Sequence, residues 1–167
     1  MKNNIKKSLI ACLIAVPAVW GPSKADNLVL DGLHTIEFNQ CRSAAESLAN
    51  VLVSTKNHGY RMTRGVDTDD DMLVIAVENT WDDGSSDIET GAIAPTTAGD
   101  CDVLRTRVLV AGNSCTSLAN NWEVEREGTL NSEWVYYTDE ASDYYMLSMG
   151  ETCVVKEVES VVGVPMD

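Results

Sequence analysis

Residues 38–56 read FNQCRSAAESLANVLVSTK. Phe38, Cys41, Ala45, Leu48 and Leu52 recur at helical spacing and form one apolar stripe, while Arg42, Ser43, Glu46, Ser47 and Asn50 fall largely on the other side. The stretch therefore predicts an amphipathic helix from Phe38 to Lys56. Gly59 supplies a left-handed stop, and Lys56 sits at the negative helix end. Its start has two candidates: a cap at Asn39, or a capping box made by Ser43 and Glu46.

Downstream the chain changes period. Tyr60–Val66 alternates, and Met72–Glu78 is a short apolar run rich in β-branched residues, so both read as strands. Asp82–Asp100 has no sustained period and reads as a long loop with room for one short hairpin. Val103–Val110 is a further strand, and Cys115–Asn121 reads as a short helix or loop. Trp122–Glu127 alternates and places Glu123, Glu125 and Glu127 on one wet face. Glu133–Thr138 and Tyr144–Met149 form a hairpin, and Cys153–Val162 a last strand. No internal repeat is evident. The expected fold is α+β: one N-terminal helix packed on an antiparallel sheet of five to six strands, stapled by two disulfides.

Upstream, Lys2, Lys6 and Lys7 precede the apolar run Ser8–Val19, and Ser23-Lys24-Ala25 offers small residues at a cleavage site. Residues 1–25 are expected to be a signal peptide, leaving 26–167 as a single acidic domain in the periplasm or the medium. The whole chain has a formal charge of −14. Removing the leader takes four lysines and leaves 8 basic against 26 acidic residues, a charge of −18. Such a surface disfavours nucleic acid and anionic membranes and favours a basic partner.

Four cysteines remain after the leader: Cys41, Cys101, Cys115 and Cys153. An even number in an oxidising compartment predicts two disulfides. A strand over Val103–Val110 would hold Cys101 and Cys115 too far apart to bond. Cys41 is therefore expected to join Cys101 or Cys115, with Cys153 taking the other. The absence of any Cys-x2-Cys spacing disfavours zinc.

Three groups of side chains are candidates for a site. Trp81 with Asp82, Asp83, Asp87 and Glu89 would form an acidic loop with an aromatic anchor, suited to a basic protein surface. Asp67, Asp69, Asp71 and Glu78 match the acidic positions of a calcium loop, but Met72 stands where the turn needs glycine. Trp134, Tyr136, Tyr137, Tyr144 and Tyr145 put aromatics on both faces of a hairpin. A catalytic set is poorly supported: histidines number two, no Gly-x-Ser-x-Gly occurs, and the cysteines are expected to be oxidised.

These features predict an exported acidic binding protein that masks a partner, as an inhibitor or immunity factor would do against a cationic, cell-wall-degrading enzyme. The alternative is a glycan-binding or calcium-dependent surface module, and a carboxylate hydrolase ranks third. No cofactor is expected, with calcium the one ion the acidic turn would suit. Neither nucleic-acid binding nor membrane insertion is expected.

Overall fold

A computed structural model describes residues 27–36, 38–64, 72–130 and 133–165. Three helices are present: α1 (Leu28–Thr35), α2 (Arg42–Leu52) and α3 (Cys115–Trp122). Eight strands follow the chain as β1 (His58–Arg64), β2 (Leu73–Thr80), β3 (Ser86–Pro95), β4 (Asp100–Ala111), β5 (Glu125–Leu130), β6 (Trp134–Thr138), β7 (Ser142–Met149) and β8 (Thr152–Pro165). They make one antiparallel sheet in the order β1-β2-β3-β4-β8-β7-β6-β5. The α+β class stands, but the sheet is larger than the five to six strands predicted, and the described residues hold three helices: α2 as expected, α3 where a short helix or loop was read, and α1 in addition.

Helix α2 is shorter than the apolar stripe predicts, starting at Arg42 and ending at Leu52. Neither expected cap is used. Cys41 occupies the N-cap in the left-handed region, at φ 52°, with no side-chain capping bond. Its disulfide to Cys101 fixes the helix start instead. The buried face is Ala44, Ala45, Leu48, Ala49 and Leu52. Small residues let the helix sit close, and Leu48 rests over Gly91 of β3, where an added Cβ would overlap it. Asn27 caps α1 by accepting from Val29 N and Leu30 N, and its amide donates to Ala49 O at 3.3 Å, tying α1 to α2.

The segment read as a long loop contains β3. Its inward positions are Asp87, Glu89, Gly91 and Ile93, all buried. Two acids and a glycine on the core face concealed the alternation that marks a strand. Trp122, read as the start of a strand, ends α3, and Glu123 closes that helix in the left-handed region at φ 57°. Ser114 caps its start by accepting from Ser117 N.

All three helices lie on one face of the sheet. Along β4 the same parity of side chain runs from Val103, packed with the first apolar cluster (α1, α2, β2, β3), to Leu109 and Ala111, packed with the second (α3, β6, β7, β8). The opposite face carries no helix among the described residues. No described helix is long and apolar enough to cross a membrane.

The disulfides are Cys41–Cys101 and Cys115–Cys153, one of the two pairings left open above. They suit an oxidising compartment. They also expose a repeat that the sequence hides. Helix α2 with β1–β4 and helix α3 with β5–β8 are two copies of one plan: a helix, then a four-stranded meander, with the helix start bonded to the start of the fourth strand. The fourth strands lie side by side. A pseudo-twofold axis through the Thr106–Val158 pair exchanges Arg105–Glu159 with Glu157–Arg107. Leu48 and Trp122 occupy the same place in the two helices, seven residues after the stapled cysteine. Leu48 meets Gly91 and Trp122 meets Tyr144, at 5.7 Å between ring centroids. A large side chain opposite glycine in one unit is answered by two aromatics in the other.

Gly91→Ala should lower the unfolding free energy by about 1–3 kcal/mol, the usual cost of overfilling a core site. In urea denaturation the loss in Gly91→Ala combined with Leu48→Ala should be smaller than the two single losses added, because the second change empties the space the first one fills.

Candidate functional site

The β2–β3 hairpin ends in a tight turn. Trp81 N donates to Ser85 O at 2.9 Å and Gly84 N to Trp81 O at 3.0 Å. Gly84 takes φ 81°, which a residue with a Cβ rarely adopts. Asp83 accepts from Ser85 Oγ at 2.6 Å and from Ser85 N at 2.9 Å. The Ser85 hydroxyl, and then its backbone N–H, hold the Asp83 carboxyl below its ordinary pKa. Asp82 and Asp83 are exposed, and Trp81 beside them is half-buried. The turn thus fixes the Asp83 carboxylate and leaves Asp82 exposed beside it, next to an aromatic ring.

Asp87 and Glu89 do not join them. They are 2% and 0% exposed and point to the helix-bearing face. The expected five-residue acidic loop therefore divides into an outer tip and an inner pair. Asn79, also buried, donates to Leu52 O at 2.9 Å and to Asp87 at 3.2 Å, and accepts from Ser54 N at 3.0 Å. Asp87 is paired with Arg107 through the guanidinium Nε. Glu89 accepts from Ser54 Oγ at 3.0 Å on one oxygen, and on the other from Arg105 Nε at 2.8 Å and Nη2 at 2.6 Å. Arg105 reaches on to Glu159 at 3.3 Å. Burial pushes the Arg105 guanidinium pKa down, but the Glu89 carboxylate against it outweighs this and leaves it raised.

These groups make a polar seam between the two apolar clusters. It follows the axis of the repeat: Arg105 and Arg107 on β4 face Glu159 and Glu157 on β8. Glu157 has its pKa raised, mainly by burial, against the lowering influence of Arg105 and Arg107. The seam's two guanidiniums are shared among Asp87, Glu89, Glu157 and Glu159. Its chemistry is that of a structural ion-pair network.

Of the calcium candidates, Asp67, Asp69 and Asp71 lie outside the described residues. Glu78 is exposed on the uncovered face of β2, opposite Gly59 and Ile88. Among the described residues no group of three or more His, Cys, Asp or Glu side chains could hold a metal ion.

The aromatic hairpin splits by parity. Tyr137 and Tyr144 are buried under α3, and Tyr144 donates its hydroxyl to Asp139 at 2.7 Å. Burial, then that bond, push the Tyr144 pKa up to about 12. Tyr136 and Tyr145 stack on the uncovered face at 5.4 Å, near Trp134. The uncovered face itself was not identified as a site. Its signal was in VLRTRVLV, Val103–Val110, where apolar residues stand at both parities of one strand.

Arg105→Met should leave buried Glu89 with only the more distant Arg107, at 3.9 Å, and cost about 3 kcal/mol in chemical denaturation, with part recovered by adding Glu89→Gln. Because the folded pKa of Glu157 is raised, its contribution to stability is fully present below the unfolded glutamate pKa and is lost as pH rises through the folded one. Glu157→Gln should therefore gain on the parent as pH climbs from mildly acidic to neutral, measured as the difference in denaturation midpoint.

No model of a known protein family matches the chain, and neither does any curated protein or solved structure.

Proposed function

We propose that this chain is a small exported acidic binding protein that masks a partner protein, acting as an inhibitor or immunity factor against a cationic enzyme. Enzymes that degrade the cell wall share the periplasm or medium in which it would work. The observation that carries the reading is the β2–β3 turn, where Asp83 is held by serine hydrogen bonds and Asp82 stands exposed beside it and Trp81. A contact that is already ordered loses little conformational entropy on binding. Carboxylates at a hairpin tip suit a basic cleft, and a half-buried tryptophan can anchor the contact as its remaining surface is covered. The charge of −14, or −18 without the leader, adds long-range attraction for a cationic partner.

Two further features support it. The disulfides fit a protein that keeps its shape outside the reducing cytosol. The interior acids are committed to arginines, whereas the tip sets two exposed acids beside an aromatic ring.

The test is titration of a basic peptidoglycan hydrolase with the protein, following both complex formation and enzyme activity. Binding and inhibition at low salt are expected. Trp81→Ala should weaken the complex by about 30-fold or more, the loss typical of an aromatic hot spot. Asp82→Asn with Asp83→Asn should slow association by about tenfold at low salt, an effect that shrinks as salt is added. Variants that bind as tightly and as fast as the parent would remove the tip from the interface.

A further inference from the structure

We propose that the uncovered face of the sheet is an interface between two copies of this chain, packed sheet on sheet. The face is apolar and bare. Val162 is 76% exposed, Val110 64%, Ile88 55%, Leu104 43% and Val108 41%. All five lie on the outward parity of β3, β4 and β8. Exposed side chains of this kind scattered singly are ordinary, but a contiguous sheet of them marks a contact surface. A sheet is stable in water when each apolar face is covered by another layer. The three helices provide that layer on the opposite face.

Charge distribution separates this face from the rest of the molecule. The chain is 23% charged. On the outward parity of β3, β4, β8 and β7, Lys156 is the one charged side chain away from the strand ends, where Asp102 and Asp143 sit. Asp100 stands at the start of β4 as well, and Arg61 on β1, Glu78 on β2 and Glu125 on β5 share the face farther out, so the acid surplus is kept off its central strands only. A cationic partner gains nothing from a neutral face. Two copies of so acidic a chain, by contrast, can approach each other there without setting carboxylates against carboxylates.

The area and side chains also suit a second copy. Eight strands at about 4.8 Å spacing span about 34 Å, and eight residues of strand about 27 Å, so the whole face, with Arg61, Glu78 and Glu125 on its outer strands, offers on the order of 900 Å². A stable interface takes about 800 Å² from each partner. The outward residues are largely Val, Ile, Leu, Thr and Ala, the kind that interdigitate between stacked sheets.

The test is sedimentation velocity of the exported, oxidised protein from micromolar to near-millimolar concentration. A monomer–dimer equilibrium is expected. It should tighten as sodium chloride is raised, because salt screens the repulsion between two acidic bodies while strengthening apolar burial. Val108→Glu with Val162→Glu sets like charges into the stack and should raise the dissociation constant by more than 100-fold. Both positions are exposed, so the melting curve of the monomer and both disulfides should be preserved; if the variant does not fold, the salt response of the parent decides. A monomer at every concentration would overturn the proposal, as would a dimer that loosens with salt or is indifferent to the double variant. A monomer whose leader is retained and lies on this face would overturn it too. The tip variants Trp81→Ala and Asp82→Asn should leave dimerisation unchanged, so failure of this interface and failure of the masking role are distinguishable.

Discussion

Two carboxylates locked against two guanidiniums hold the middle of this molecule together. Glu89 and Asp87 have no access to water, and each has an arginine of the neighbouring strand within hydrogen-bonding distance. Removing such charges from solvent is expensive, and the attraction offsets it only where the geometry is good and the remaining lone pairs are satisfied. Here they are, through Ser54, Asn79 and the forked guanidinium of Arg105. The pairing fixes the register of β3 on β4, because a slip of one residue would turn both acids outward and both arginines away from them. It also determines how the two apolar clusters are divided. Each helix packs over hydrocarbon, and the gap between them is filled by charge.

This explains which parts of the fold can be read from the residues alone. Helix α2 was legible because its apolar stripe is regular and its polar side is wet. β1 was legible from alternation at period two, and β2 from a short apolar run rich in β-branched residues. β3 was not, because the rule that acids face solvent fails where a partner arginine lies on the next strand, and a linear sequence does not show which strand that is. The start of α2 was misplaced for a related cause. A helix usually announces itself by a capping side chain, whereas this one is held by a covalent bond to a residue far along the chain. At the candidate site, Trp81, Asp82 and Asp83 are where turn chemistry put them, while Asp87 and Glu89 were assigned outward by composition and lie inward by register.

The repeat was hidden by divergence at its own axis. Cys-x-Val-x-Arg-x-Arg from Cys101 and Cys-x-Val-x-Glu-x-Glu from Cys153 occupy equivalent places, yet their charges are opposite. Opposite charge is what the position demands, since two like strands side by side would set arginine against arginine or glutamate against glutamate. Complementarity across the axis therefore erased the similarity along the chain. The same division of labour governs the surface. The acids of the interior are paired with arginines, the tip carries exposed acids, and the uncovered face of the central strands has Lys156 as its one charge away from the strand ends.

The order of the cysteines has a consequence for how the fold is made. Of the four that follow Cys12, the first bonds to the second and the third to the fourth. A chain threading out of a channel amino end first presents Cys41 and Cys101 together before Cys115 has appeared. If the chain is exported, an oxidant that joins thiols in their sequence of arrival would produce the native cross-links with no reshuffling, and the first helix would be stapled to β4 before β8 arrives to pair with that strand.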